Sequence, residues 1–562
     1  MRQQLEMSER PTKKVVGVTG DPGGGQYELL LQSLGQLYPV EFRQVDAGGD
    51  DAVAALLVLG GNSPAGFAAA ARGLPSFVEL GGGAAPNPVG GGQVQFGDSS
   101  CLETCLRNQV MIDPEAARFF TIESRPGDAI LASENGRAIW LARPVGRGVC
   151  HLFAGLLPQL RPKEFLFEYL NWHRFMGLLP LMHFLRQLVK DADWEGPPSR
   201  ACFIIDDPSF YWRSYGHLNF HALAAHAVRH QYYVSLAMIP LDTWWVNGRV
   251  AATLRSSSPR LSVLIHGNNH TTHELLAPHN QVNRLAVAAQ ALRRMDRLTR
   301  KYSLSVHKIM EAPHGALAED VFQHLLVLGF EAALCTTELL VQHNPYAAWP
   351  VTLGMNRSEF LGGGMPVIPR IRISPHWKND ILLAAFLQQP IVIVGHHGDA
   401  ANSMALLAEI AGTVNRLDGV TWSDLPGMLR SNYRQRIEGD VLKVQMYSRR
   451  VRVAVPPAIR HLSVQRSWIK EGRIEDLSIG VNGNLHTLRK EGPLVERIPL
   501  EGAQFVELAS ELDTPLHFSS VNQPFPSPWP AARKVLMEVR DRLSPMVPAV
   551  NRLRRRSSVK GS

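Results

Sequence analysis

The sequence predicts a multidomain α/β protein in three parts: an α/β unit, a β/α unit that closes most simply as a barrel, and an antiparallel β-sandwich. Three observations predict it. At 562 residues the chain is too long for one hydrophobic core. Between about 198 and 430, short apolar runs alternate with amphipathic stretches, the signature of β/α architecture. From about 438 the hydrophobic period falls to two.

The first part, 14–185, opens with the strand pattern "VVGVTG" and runs through the glycine-rich "DPGGG" into the helical "ELLLQSLGQL". "AALLVLGG", "GRAIWLARPVG" and "GRGVCHLFAG" supply further strands of a sheet. Gly20 and Gly25 have the separation of the two P-loop glycines, but Gln26 and Tyr27 stand where that motif needs Lys and Ser or Thr, which excludes an ordinary P-loop. The segment resembles the flavodoxin-like fold of class I glutamine-amidotransferase relatives. Their nucleophilic cysteine at a strand-to-helix elbow is not evident, and Cys101 and Cys105 read as packing residues. A non-catalytic accessory domain is expected.

In the second part, 198–430, "CFII", "RLSVLIHG", "SVHKIM", "FEAALC" and "PIVIVG" read as strands. "VNRLAVAAQALRRMDRLTRKY" reads as a helix, with Leu285, Ala288, Leu292, Met295 and Tyr302 on one face. Helical patterns around 319–328 and 403–417 lie between later strands. The third part, 438–520, alternates apolar and polar residues in "DVLKVQMYSRRVRVAV", "HLSVQRSWIK" and "IEDLSIGVNG". A proline-rich segment, a helical stretch and a basic tail fill 521–562.

Composition narrows the function classes. The hydrophobic fraction of 45% and charged fraction of 19% are those of an ordinary globular protein. Of the formal charge of +8, more than half belongs to five tail residues, Arg552, Arg554, Arg555, Arg556 and Lys560, so the body is nearly neutral and gives no support to nucleic-acid binding. The tail reads as a solvated end, with peripheral contact to an acidic membrane surface or partner as the alternative. No apolar run approaches the ~18 residues of a membrane span, and "MRQQLEMSERPTKK" lacks a signal-peptide core. Five scattered cysteines suit a reducing compartment, so a cytoplasmic location is expected.

Chemistry concentrates at strand ends of the second part. "FIIDDP" ends an apolar run on Asp206 and Asp207, "LIHGNNH" carries His266 and His270, "EAPHG" carries Glu311, Pro313 and His314, and His396 and His397 follow "IVIVG". Taken alone, an Asp-Asp-Pro sequence is an ordinary turn. Repetition of polar residues at successive strand ends points instead to one barrel mouth, where such folds gather functional groups. His266 and His270 are four apart, a spacing that lets two imidazoles reach one ion. An added aspartate makes a two-histidine, one-carboxylate set with open positions, suited to zinc or another divalent transition metal.

On those residues the second part resembles the polysaccharide deacetylases of the NodB-homology type, carbohydrate esterase family 4. The resemblance covers roughly 230 residues and rests on motif order and spacing. It implies a distorted (β/α) barrel, with Asp206 as general base, Asp207, His266 and His270 as ligands of a divalent metal, Zn2+ foremost, and His396 as general acid. A backbone N–H near His314, beside Pro313, would help to hold the oxyanion, and Glu311 reads as a substrate contact, an extra acid or an ordinary loop residue. Two departures stand out. Pro208 replaces the usual glycine, and Glu311 stands where the family has an arginine that orients the catalytic aspartate. Arg370 or Arg372 in "PRIRIS" could substitute in space. Trp377 and Asp380 match the remaining motif. The implied reaction removes an N-acyl group, such as acetyl, from a carbohydrate or sugar conjugate of glycan biosynthesis. The alternatives are a catalytically inactive carbohydrate-binding or scaffold protein and a glycoside hydrolase using Asp206 and Glu311.

Overall fold

A computed structural model describes residues 13–543 except 21–24, 47–51, 62–63, 82–90, 191–193, 272, 277–280, 501, 513 and 525–527. The basic tail therefore lies outside the described residues, as does most of the first glycine-rich turn. The chain divides into two compact units. One comprises Met1–Glu195 with Trp349–Asn356 and His376–Leu387, and the other comprises Gly196–Ala348, Arg357–Pro375 and Gln388–Ser562. Trp377 and Asp380, on the helix Trp377–Phe386, thus belong to the first unit, although they fall between barrel strands in sequence. No helix among the described residues is long and apolar enough to cross a membrane.

The first unit is built on one nine-stranded sheet. Its parallel half runs in the spatial order Val40–Gln44, Lys14–Thr19, Ala55–Val58, Ser76–Glu79 and Gly148–Phe153. Arg137–Val145, Ala129–Glu134, Gln93–Phe96 and Val110–Ile112 extend it antiparallel.

The second unit contains a closed barrel of seven parallel strands. In chain and spatial order these are Ser199–Asp206, Val234–Met238, Leu261–His266, Val306–Glu311, Ala332–Cys335, Met365–Arg372 and Ile391–Gly395. The first strand pairs with both the second and the seventh, which closes the ring. Runs such as "VSLAM", "LSVLIH" and "IVIVG" are buried at every position, because the interior packs one face and helices cover the other. Cys202, Ile204, Leu264, Ile309, Ile368, Val392 and Val394 form one cluster with Leu425, Met428 and Leu429 of the helix Leu425–Arg430.

That cluster fixes the parity of the site. Side chains two apart on a strand share a face, so the next position up from Ile204 is Asp206, from Leu264 is His266, from Ile309 is Glu311 and from Ile368 is Arg370. Apolar layers fill the barrel, and a layer of ionisable groups caps them at the carboxyl ends of the strands.

Eight further strands form two four-stranded sheets over one apolar core that draws on both. The expectation of a wholly antiparallel domain fails at one ladder, where Val441–Met446 and His461–Arg466 run parallel. The chain between them crosses to the other sheet as Arg450–Ala454 before returning, and a strand that returns after such a crossover can enter parallel.

Candidate metal centre

Each group at the rim is delivered by a strand end followed by an abrupt change of backbone direction. Asp206 is the last residue of strand one, and Asp207 follows with φ 64°. Simple alternation would turn successive side chains to opposite faces, and this left-handed residue breaks the alternation. His266 ends strand three, Gly267 turns the chain with φ 57°, and His270 also lies in the left-handed region at φ 54°. Glu311 ends strand four, and His314 follows with φ 56°. Non-glycine residues avoid this region, and where a fold enforces it the reason is often functional.

Asp207 Oδ1 lies 3.0 Å from His266 Nε2 and 3.1 Å from His270 Nε2. The three donor atoms are mutually within 4.8 Å, and Asp207 Oδ1 makes no hydrogen bond of good geometry although it is buried. One carboxylate oxygen and two imidazole nitrogens facing a common centre is a donor set that fits a divalent transition metal. The other imidazole nitrogen completes the case. His266 Nδ1 contacts Glu311 Oε2, a carboxylate placed to take the Nδ1 proton and so to leave the Nε2 lone pair to a bound ion.

Glu311, expected beside substrate from its place in "EAPHG", lies among the ionisable groups inside the barrel. It is wholly buried, held between His266 and Arg370 Nη1, because strand parity points it into the barrel. Arg370 also stands 3.8 Å from Asp206 Oδ2, whereas Arg372 is exposed. An arginine thus reaches the aspartate from strand six.

Burial raises the pKa of Asp206, and the charges of His266 and Arg370 only partly offset it. Burial also acts on Asp207, but the neighbouring His266 and His270 outweigh it and hold that carboxyl well below the usual range. Two adjacent aspartates are thereby separated into a more basic carboxylate and one that stays ionised. Such divergence marks acid–base assignments in active sites.

The loop bearing His270 is fixed by residues that the sequence reading missed. Glu274 accepts the N–H groups of Asn268 (2.7 Å), Asn269 (3.0 Å) and His270 (3.1 Å). Arg294 donates to the side-chain oxygens of Asn268 and Asn269, both at 2.7 Å. Gly267 makes this possible, since a Cβ there would lie 2.4 Å from both Glu274 Oε1 and Pro313 Cγ. The "HGNN" run, with its glycine before two asparagines, was the available signal of a tight loop.

His396 follows strand seven and is exposed, and its N–H donates to Asp399 Oδ2 at 2.8 Å. Its charge acts on Asp206. Pro313 is buried, while the exposed His314 places its ring 5.0 Å from that of His270. His397 packs against Tyr215, and His273 against His343.

No protein-family model and no curated protein matches the chain. Among solved structures it is similar to Agd3, a carbohydrate deacetylase, at 10% identity over 90% of this chain and 99% of that one, with a TM-score of 0.46. It is also similar to a carbohydrate esterase of family 4 from Streptomyces lividans, at 13% identity, 41% and 93% coverage and a TM-score of 0.23. A family 4 pseudoenzyme from Bacillus anthracis matches at 10% identity, 41% and 66% coverage and a TM-score of 0.26. Likenesses this distant leave the chemistry to be read from the side chains.

Proposed function

We propose that the chain is a metal-dependent hydrolase that removes an N-acyl group, acetyl in the simplest case, from a carbohydrate or sugar conjugate. The observation that carries this reading is the convergence of Asp207, His266 and His270 on one centre beside the raised carboxyl of Asp206. The motif order along the chain supports the carbohydrate amide as substrate.

A divalent ion held by those three residues, zinc foremost, would acidify water and polarise an amide carbonyl. Asp206 accepts the proton of the attacking water, and its raised pKa makes it the stronger base of the pair. Arg370 holds Asp206 in place and balances its charge, the task that Glu311 cannot perform. Glu311 fixes the tautomer of His266. A backbone N–H near His314 would help to hold the developing oxyanion. His396, accessible to solvent, gives its proton to the leaving nitrogen. A C–O bond forms, the C–N bond breaks, and the products are a carboxylate and a free amine. The first unit, with its glycine-rich loops and no evident nucleophile, is read as an accessory domain related to the amidotransferase type.

Metal analysis of untagged protein, paired with an assay for acetate release from N-acetylated sugars, tests the reading. About one transition-metal ion per chain together with acetate release supports it. A chain that takes up no zinc, cobalt or manganese refutes it.

A further inference from the structure

The last helix, Trp529–Leu543, wears its apolar stripe on the outside. Val535, Leu536 and Val539 are 64%, 68% and 53% exposed and Trp529 is exposed with them, whereas Lys534 is buried. At helical spacing the four apolar residues occupy about a third of the circumference, with Lys534 on the opposite side. A surface helix ordinarily turns such a stripe to the core. This one is attached through charge: Lys534 Nζ lies 2.8 Å from Asp242 Oδ2 and 6.0 Å from the centre of the Tyr215 ring. Asp242 is buried and also accepts the Tyr211 hydroxyl at 3.1 Å.

These anchors set the helix over the loops that follow barrel strands one and two, which expose Trp212, Trp244 and Trp245. The second of these loops abuts the metal-centre loop, with the Leu241 N–H donating to the Asn268 carbonyl at 3.0 Å. Exposed aliphatic residues, exposed tryptophans and the candidate centre therefore share one rim. Beyond the helix, residues 544–562 contain Arg552, Arg554, Arg555, Arg556 and Lys560 and no Asp or Glu.

We propose that this rim docks on an anionic lipid surface, the helix lying in the interface with Val535, Leu536 and Val539 inward and the basic tail on the headgroups. An apolar helix face and a polybasic stretch are each weak membrane signals that add when adjacent, and tryptophan favours the boundary between headgroups and acyl chains. A second copy of the chain would suit the aliphatic face, but it would bring a second set of five like charges beside the first. A glycan would stack on the tryptophans but would leave the aliphatic stripe in water. If the hydrolase reading also holds, the sugar offered to the rim is one borne on a lipid carrier; the docking itself does not depend on turnover.

Sedimentation of the full chain with vesicles of phosphatidylcholine, alone or mixed with phosphatidylglycerol, tests the proposal. The chain is expected to pellet with the mixed vesicles, to stay in solution with phosphatidylcholine alone and to be released by salt. The Val535→Ser/Leu536→Ser/Val539→Ser variant should lower the partition by roughly a hundredfold while metal binding and circular dichroism stay unchanged, since these positions face outward. Arg554→Ser/Arg555→Ser/Arg556→Ser should abolish the preference for the anionic lipid. Failure to pellet with either vesicle, or wild-type partition of the triple-serine variant, overturns the proposal. So does a dimer seen by light scattering that the triple-serine substitution dissolves without vesicle binding, which assigns the face to a second copy. Retention on an N-acetylated glycan that Trp244→Ala/Trp245→Ala removes, again without vesicle binding, assigns the rim to polysaccharide.

Discussion

Replacing Glu311 with glutamine should separate two properties that the wild-type carboxylate joins. Glu311 and Arg370 are 0% and 5% exposed at their side chains, so solvent screens their interaction little. Removing one partner of such a buried pair costs about 3–5 kcal/mol. Arg370 keeps Asp206 at 3.8 Å, which places the expected loss at the lower end, about 3 kcal/mol. Independently, His266 loses the carboxylate that fixes its tautomer, which lowers metal affinity about 10- to 100-fold. Hydrogen exchange of the strand Val306–Glu311 in metal-free protein reads the first effect locally, as a chain of two units requires, and calorimetric titration with Zn2+ reads the second. In Glu311→Gln/Arg370→Met the two losses should not add, giving a coupling energy of about 2 kcal/mol or more. Metal affinity should stay low, because His266 still lacks its partner. The reasoning is refuted if Glu311→Gln loses under about 1 kcal/mol and binds Zn2+ like wild type, or if the double substitution restores metal affinity.

Four further outcomes are expected. His266→Ala/His270→Ala should purify folded but without the single transition-metal ion of the parent, as measured by elemental analysis. Asp206→Asn should retain the ion and lose about 10²- to 10⁴-fold in turnover. The raised pKa of Asp206 means that the folded state holds its proton more tightly than the unfolded state, so this carboxyl withdraws stability as pH rises above 3.8 and through its folded value. Metal-free Asp206→Asn should therefore unfold at a denaturant concentration no lower than wild type at neutral pH, and a lower midpoint would contradict the burial argument. Finally, Gly267→Ala forces a Cβ to 2.4 Å from Glu274 Oε1 and Pro313 Cγ at a positive φ, and should cost about 1–3 kcal/mol and weaken metal binding in calorimetry.

Asp206, Asp207 and His266 were legible because they close apolar runs too uniform to be anything but buried strands. "CFII" and "VLI" announce where Asp206 and His266 must emerge, and the parallel barrel converts those ends into neighbours. Strand six was illegible for a physical reason. "MPVIPRIR" carries Pro366 and Pro369, which speak against a central strand. Pro369 is tolerated where the ladder with strand five ends and the ladder with strand seven begins. The environment of Glu311 was hidden for the same reason, since its partner Arg370 lies on that strand. The parallel ladder between Val441–Met446 and His461–Arg466 left no local trace, because alternation reports which face a residue occupies and not which way its neighbour runs.

The contact between strands four and six ties together two parts of the ring that the sequence keeps far apart. A motif read along one strand sees Glu311 without its surroundings. Read around the ring, Glu311 lies between His266 and Arg370, and Arg370 in turn stands 3.8 Å from Asp206 Oδ2. Because the interior of a barrel is a shared room with several doors, conservation of a charge there need not mean conservation of the strand that carries it. A reading confined to one sequence position misses a charge that another strand supplies.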